Sequence, residues 1–299
     1  MKKSELEKWR KAGQIAAEAL KYGQGLIKKG AVIREVCDKV DRRIVELGGL
    51  PAWPTQIGLN HVAAHYTPDQ NDDQKFNDEL VCIDVGAHIE GCIGDNALTV
   101  DLSGKNQKFL TAVQEALDAA LKVAKEGIEV REIGKVICET IEKHGLNPIR
   151  NLGGHGISEF EIHDSPKIPN FDDGNTAKLE KGKVYAIEPF ATNGQGLIKE
   201  SERANIFSLT EIKPVRNQFT RDIISEINEH FDNLPFTTRW LSEKFGIGKT
   251  SLALREMERL ECIHKHPPLV EQTKGLVSQW EKTFYVGEDG IEILTKFDP

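Results

Sequence analysis

Leu80-Val-Cys-Ile-Asp-Val-Gly-Ala-His-Ile-Glu-Gly-Cys-Ile-Gly-Asp-Asn-Ala-Leu-Thr-Val-Asp-Leu102 is the stretch on which the reading of this chain turns. Its two arms, Leu80 to Ala87 and Cys92 to Leu102, are apolar and rich in β-branched residues, and Ile89-Glu90-Gly91 lies between them, so it predicts a β-hairpin. Each arm carries one carboxylate inside apolar text, Asp84 in Val81-Cys-Ile-Asp-Val and Asp95 in Ile93-Gly-Asp-Asn-Ala. A buried carboxylate needs partners. A turn centred between Ile89 and Glu90 sets Asp84 opposite Asp95, with Cβ atoms roughly 5 Å apart. Like charges that close are unfavourable unless a cation lies between them, so the pair points to a divalent metal. A one-residue slip of register would turn one side chain to the other face.

Working outward, Lys3 to Ile27 and Val32 to Leu47 place apolar residues at helical spacing before a Gly48-Gly49 stop, and Lys108 to Lys125 and Val130 to His144 repeat the pattern after the hairpin. A Gly-rich loop, Leu152-Gly-Gly-His-Gly156, then leads to strands at Val184 to Phe190 and Arg203 to Ile212. A helix pair followed by strands thus occurs twice, which predicts an α+β domain with internal pseudo-symmetry. The text changes near Pro214: Arg221 to Leu260 reads as helical and ends before Pro267-Pro268. Strand-like text resumes from Leu276 to Val286, which must rejoin the first domain if that domain lacks a final strand.

Three more residues join the two aspartates as metal-ligand candidates: His155 in the Gly-rich loop, Glu188 in Tyr185-Ala-Ile-Glu-Pro, and Glu281 in the late strand. A loop histidine is ordinarily solvated and a strand glutamate ordinarily faces water. Together, however, they make one histidine and four carboxylates, an oxygen-rich set suited to two hard or borderline divalent ions. Co-catalytic sites of that kind hold metals roughly 3.5–4 Å apart and activate a water between them.

The ordered motifs Ala63-Ala-His-Tyr-Thr-Pro68, Ile83-Asp-Val-Gly86, Gly94-Asp-Asn-Ala-Leu-Thr-Val100, Gly153-Gly-His-Gly-Ile157 with Ile162-His163, Ala186-Ile-Glu-Pro-Phe190 and Gln279-Trp-Glu-Lys-Thr283 resemble those of the methionine aminopeptidases. The resemblance covers nearly the whole chain. It implies the pita-bread (creatinase/aminopeptidase) α+β fold with pseudo-twofold symmetry. The helical block matches the winged-helix-like insertion of type II members, and the short leader resembles archaeal examples without an N-terminal extension. The implied division is a catalytic domain of residues 1–213 and 271–299 with an insertion at 214–270.

Residue by residue, the resemblance makes Asp84 a ligand of one metal, His155 and Glu188 ligands of the other, and Asp95 and Glu281 bridges. Glu188 is also the implied proton acceptor for the attacking water. His65 and His163 match the histidines that face the scissile peptide, while Trp53 and Ile162 map beside the methionine pocket. Trp53 stands where the family more often has Phe, and Ser158-Glu159 stands where many members have a glycine. The implied reaction is hydrolysis of the first peptide bond, releasing the initiator methionine from nascent polypeptide N-termini when the second residue is small. Two divalent ions (Co, Mn, Fe, Zn or Ni) are the implied cofactors, and the ribosome is a candidate docking partner.

Other readings compete. A prolidase or aminopeptidase P shares the core but usually carries an added N-terminal domain, and a non-catalytic relative that binds ribosome or RNA is expected to lose ligands. Thr237 to Leu260 has helix-turn-helix character with Arg239, Lys244, Lys249 and Arg255, but Glu243, Glu256 and Glu258 interrupt the patch, which favours a structural insert over a DNA reader. A net charge of −8 argues against a general nucleic-acid surface. The 39% hydrophobic and 29% charged composition suits a globular monomer, and no apolar run approaches the roughly 20 residues that span a bilayer. Five scattered cysteines without a CxxC fit a reducing, cytoplasmic setting.

Overall fold

The computed structural model describes residues 1–201 and 203–296. Helices α1 (Lys3–Leu26) and α2 (Ile33–Glu46) precede the hairpin, and α3 (Gln107–Val123) and α4 (Val130–Lys143) follow it. α1 buries Trp9, Ala12, Ile15, Ala16, Ala19 and Leu20, one stripe at 3.6-residue spacing. The other helices present similar stripes, and all four share one apolar cluster with the strands: Leu20, Val40, Leu117 and Ile137 meet Ile83, Leu98, Tyr185, Ile187 and Phe284. Truncating Leu20, fully buried there, would cost about 2–5 kcal/mol.

The hairpin strands are Leu80–Ile89 and Cys92–Asp101. Their turn is one residue later than the sequence suggested: Ile89 faces Cys92, and the two central residues are Glu90 (φ 49°) and Gly91 (φ 86°). Two left-handed residues ending in glycine match the strand twist that a two-residue hairpin demands. Asp84 therefore faces Ala97, and Asp95 faces Gly86, instead of the two aspartates facing each other. The displacement is an even number of residues, so both carboxylates keep the same face as diagonal neighbours.

The expected loop around His155 is instead a strand, Gly153–Ser158, inside a five-stranded sheet between Glu161–Pro169 and Val184–Ile187. Glycine is used there for close approach: a Cβ on Gly154 would stand 2.1 Å from the Ala186 carbonyl oxygen. Glu161–Pro169, which the sequence reading did not anticipate, forms a second hairpin through Glu159-Phe160, and Phe160 N–H bonds the Gly91 carbonyl of the first at 3.0 Å. Helix pair plus hairpin is thus repeated in the two halves.

The late text returns as Val277–Gln279 and Lys282–Val286, interrupted at Trp280-Glu281. Its partner is interrupted too, into Val184–Ile187 and Phe190–Thr192, at Glu188-Pro189. The two glutamates sit at the same break, where the pair passes from one sheet to another. Threonines fasten this strand to the hairpin. Thr283 Oγ1 accepts from Asp95 N–H at 2.9 Å and donates to Asp95 O at 2.7 Å, and Thr99 Oγ1 accepts from Gln279 N–H at 2.9 Å and donates to Gln279 O at 2.8 Å.

Helices α5 (Gln218–His230), α6 (Thr238–Phe245) and α7 (Ile247–Arg259) have a separate apolar cluster with Phe207, Leu209, Phe236 and Ile263. Strand Ile206–Leu209, before the helical block, pairs with Phe236–Thr237 and Ile263–His266. Leu269–Glu271 pairs instead with Ile198–Glu200 and Val62–Ala64. Arg239 is not the surface charge a DNA reader would use. Only 2% exposed, it bonds Asp38 (2.6 Å) and Asp41 (2.9 Å) of α2, Thr67 Oγ1 (2.9 Å) and the Pro68 carbonyl (3.0 Å). Lys244 is paired with Glu226. No helix among the described residues is long and apolar enough to cross a membrane.

Candidate active site

A cavity of about 220 Å³ lies where the two hairpins, the interrupted strand pair and the small unit meet, and Trp53, His65, Asp84, Asp95, His155, Ile162, His163, Glu188 and Glu281 all line it. Every site residue expected from the sequence is therefore brought to one place. The closest cluster is Asp95, His155 and Glu281, whose ligand atoms lie within 4.8 Å of one another. His155 Nε2 stands 3.7 Å from Asp95 Oδ2. Its Nδ1 is 3.0 Å from the Gly156 carbonyl, an acceptor, so Nδ1 carries the proton and Nε2 is left free as a ligand atom.

Asp84 enters from the neighbouring strand, where its Oδ1 accepts from Trp53 Nε1 at 3.1 Å. The indole reaches it because residue 86 is glycine: a Cβ there would lie 2.4 Å from the ring. Glu188 and Glu281 share a donor, Gln279 Nε2, at 3.0 and 3.5 Å. Gln279, Glu281 and Thr283 are all buried and alternate along the late segment, a period-two polar run that was the available signal for the roles of Gln279 and Thr283, which the sequence reading missed.

The electrostatics are those of anions short of cations. Burial pushes Asp84 up to about 7 despite the Trp53 bond. Asp95, Glu188 and Glu281 are each held well above the usual carboxylate range, first by burial and then by neighbouring carboxylates: Asp84 for Asp95, Asp95 and Asp84 for Glu188, and Asp95, Glu188 and Asp84 for Glu281. No lysine or arginine is among the described residues lining the cavity, and Glu281 Oε1 is buried without a hydrogen-bond partner. Four desolvated carboxylates with one neutral imidazole are costly as they stand and fit divalent cations. Burial likewise lowers the rings of His155 and His65 to about 3 and depresses His163, so all three are neutral at pH 7.

His65 has a left-handed backbone, φ 61°, and its N–H bonds the Gln56 side-chain oxygen at 2.6 Å. His163 stacks edge-on against His155, ring centroids 4.6 Å apart. Trp53, Phe160, Ile162 and Leu234 form the apolar end of the cavity. Leu234 comes from the small unit, as do Asn233, Ser208 and His266, and none of these was anticipated; their contribution depends on tertiary placement.

Residues 7–214 match metallopeptidase family M24. Over 291 residues the chain is 42% identical to a methionine aminopeptidase of Archaeoglobus fulgidus, covering 97% of this chain and 98% of that one. It is 39% identical over 295 residues to the methionine aminopeptidase of Methanothermobacter thermautotrophicus, covering 97% and 99%. The crystal structure of a methionine aminopeptidase from Thermotoga maritima superposes with a TM-score of 0.72 at 25% identity, covering 99% and 98%. The architecture is accordingly the pita-bread fold. With the fold, the buried metal-type cluster and these full-length matches together, the chain belongs to metallopeptidase family M24, among the archaeal methionine aminopeptidases, which remove N-terminal methionine by metal-dependent hydrolysis.

Proposed function

We propose that Asp84, Asp95, His155, Glu188 and Glu281 hold two divalent ions, and that the cavity takes nascent polypeptide N-termini whose second residue is small. The observation that carries this is a cluster of four buried carboxylates with no lysine or arginine beside it among the described lining residues, and with Glu281 Oε1 unpartnered. In this reading Asp95 and Glu281 would be shared between the ions, Asp84 would serve one, and His155 and Glu188 would serve the other. Bound divalent ions would supply positive charge that acidifies an attacking water and polarises the scissile carbonyl.

The remaining work falls to the chain's own groups. Glu188, whose basicity burial raises, accepts the proton of the attacking water and passes it towards the leaving amine. Neutral His163 and His65 each offer one ring donor or acceptor, to the developing oxyanion and to the scissile peptide nitrogen. Trp53, Phe160, Ile162 and Leu234 enclose the flexible thioether side chain. A bound divalent ion would also hold the substrate's free amine, which would limit removal to the first residue. We also infer that residues 214–270 are, to within a strand at each end, an insertion in a catalytic domain of 1–213 and 271–299: strand Ile206–Leu209 completes the small core, while Leu269–Glu271 already pairs with Ile198–Glu200 and Val62–Ala64.

Metal content and Met-Ala peptide cleavage, measured together on His163→Ala, test the roles. Turnover should drop at least tenfold with metal content near that of the unaltered protein. Loss of metal would make His163 a ligand instead. Met-Lys peptides should be cleaved far more slowly than Met-Ala peptides, and equal rates would refute the narrow passage.

A further inference from the structure

Strand Ile206–Leu209 has two employed faces. Phe207 and Leu209 enter the small unit's core, so Ile206 and Ser208 turn the other way and line the cavity. The register sets His266 directly across from Ile206 and diagonal to Ser208, whose hydroxyl hydrogen-bonds His266 Nε2. The two strands are already joined by their backbone ladder along four residue pairs, so this half-buried polar pair is not needed to hold them. It sits on a cavity wall.

His266 also packs edge-on against His65, ring centroids 5.7 Å apart. If His65 faces the scissile peptide and the Trp53 end holds methionine, the group beyond His65 meets the next residue of the substrate. We propose that the Ser208–His266 pair reads the residue after the methionine and favours one bearing a hydroxyl, serine or threonine, over an apolar residue of the same shape; this rests on the site reading above. When Ser208 donates to Nε2, its own lone pairs stay open on one side of the His266 ring and the Nδ1–H on the other, and either can bond a substrate hydroxyl, which both donates and accepts. Valine in place of threonine fills the same volume but leaves those groups dehydrated and unpaired. The pair offers dipoles and no charge: burial first, then His264 and His163, lower the His266 ring to about 4. Acidic second residues therefore gain nothing from it at neutral pH.

The test compares kcat/KM for Met-Thr, Met-Val, Met-Ser and Met-Ala peptides that are otherwise identical, with metal-loaded unaltered enzyme, His266→Leu and Ser208→Ala. Each Thr:Val and Ser:Ala ratio is internal to one preparation, so a general loss of active protein cancels, and the small Ser208→Ala change keeps the test open if His266→Leu folds poorly. The expected Thr:Val preference is about tenfold in the unaltered enzyme, the worth of one well-made buried hydrogen bond, falling towards one in both variants. A ratio near one in the unaltered enzyme, or a ratio that neither variant changes, overturns the proposal while leaving the peptidase reading intact. Failure to release methionine from any of the four by enzyme that holds its metal would instead remove the site reading on which the proposal stands.

Discussion

Replacing Arg239 with methionine keeps much of the side chain's length and removes its charge at the junction between the small unit and α2. The guanidinium holds buried Asp41 at 2.9 Å, Asp38 at 2.6 Å, Thr67 Oγ1 at 2.9 Å and the Pro68 carbonyl at 3.0 Å. Asp41 would keep the Thr55 N–H, the Thr55 hydroxyl and Trp240 Nε1, but its charge would have no counter-ion in a dry setting. Breaking one side of a buried pair costs about 3–5 kcal/mol, which for a chain of this size lowers Tm by roughly 10 °C. Thermal unfolding followed by circular dichroism reads the shift. Arg203→Ala is the control, since Arg203 also bonds a carboxylate, Asp69 at 2.8 Å, but its side chain is 83% exposed and such a pair is worth about 0–1 kcal/mol. A loss below about 1 kcal/mol for Arg239→Met, or equal losses for both, would refute the claim that this arginine clamps the small unit to the core. The same network fixes Thr67 and Pro68, two and three residues beyond His65, so the folded fraction should also turn over more slowly.

Gly86→Ala should force the Trp53 ring, 2.4 Å from the new Cβ, away from Asp84, at about 1–3 kcal/mol and with a raised KM for methionyl peptides; unchanged Tm and KM would contradict the close approach. Thr283→Val removes both bonds to the Asp95 backbone and should cost about 1–3 kcal/mol and weaken metal affinity, which calorimetric titration checks. In metal-free protein the stability of the unaltered chain relative to Asp84→Asn should fall as pH rises from about 4 to 7, a comparison in which the opposite contribution of the buried neutral histidines cancels. Asp84 is lifted from its ordinary 3.8 to about 7, so the folded state holds the proton more tightly than the unfolded state, and that advantage is full below the unfolded value and gone above the folded one. A Tm of the unaltered chain that rises relative to that of Asp84→Asn across that range would reverse the sign and remove desolvation as the cause.

Much of this was legible in the sequence, because the decisive residues break local patterns. Asp84 and Asp95 announce themselves as carboxylates in apolar strands, and the repeated helix stripes place both halves of the core. The hairpin register differs because a turn centred between Ile89 and Glu90 leaves Gly91 out of the two central positions, whereas Glu90 and Gly91 are the left-handed pair; the shift by an even number preserves side-chain parity and with it the shared face. Three nearby glycines make His155 read as a loop residue, but Gly153, Gly154 and Gly156 are strand positions at which neighbouring carbonyls leave no room for a Cβ. The cavity wall of Ser208, Leu234 and His266 could not be read, since nothing local says that one face of a short strand in a second unit closes the site. Nor could Arg239, whose partners lie some 170 to 200 positions away, be told from the surface cations around it.

Central to the account is that the buried carboxylates exist to bind divalent metal for hydrolysis, and Asp95 tests it most directly because it lies in the tightest cluster. Asp95→Asn keeps the side-chain size and removes the charge. Metal stoichiometry by elemental analysis, measured alongside methionine release from a Met-Ala peptide, should show the unaltered protein gaining activity in step with bound divalent ion and the variant losing both. Near-normal release by the variant with a full metal complement, or full release by metal-stripped unaltered protein, would contradict it.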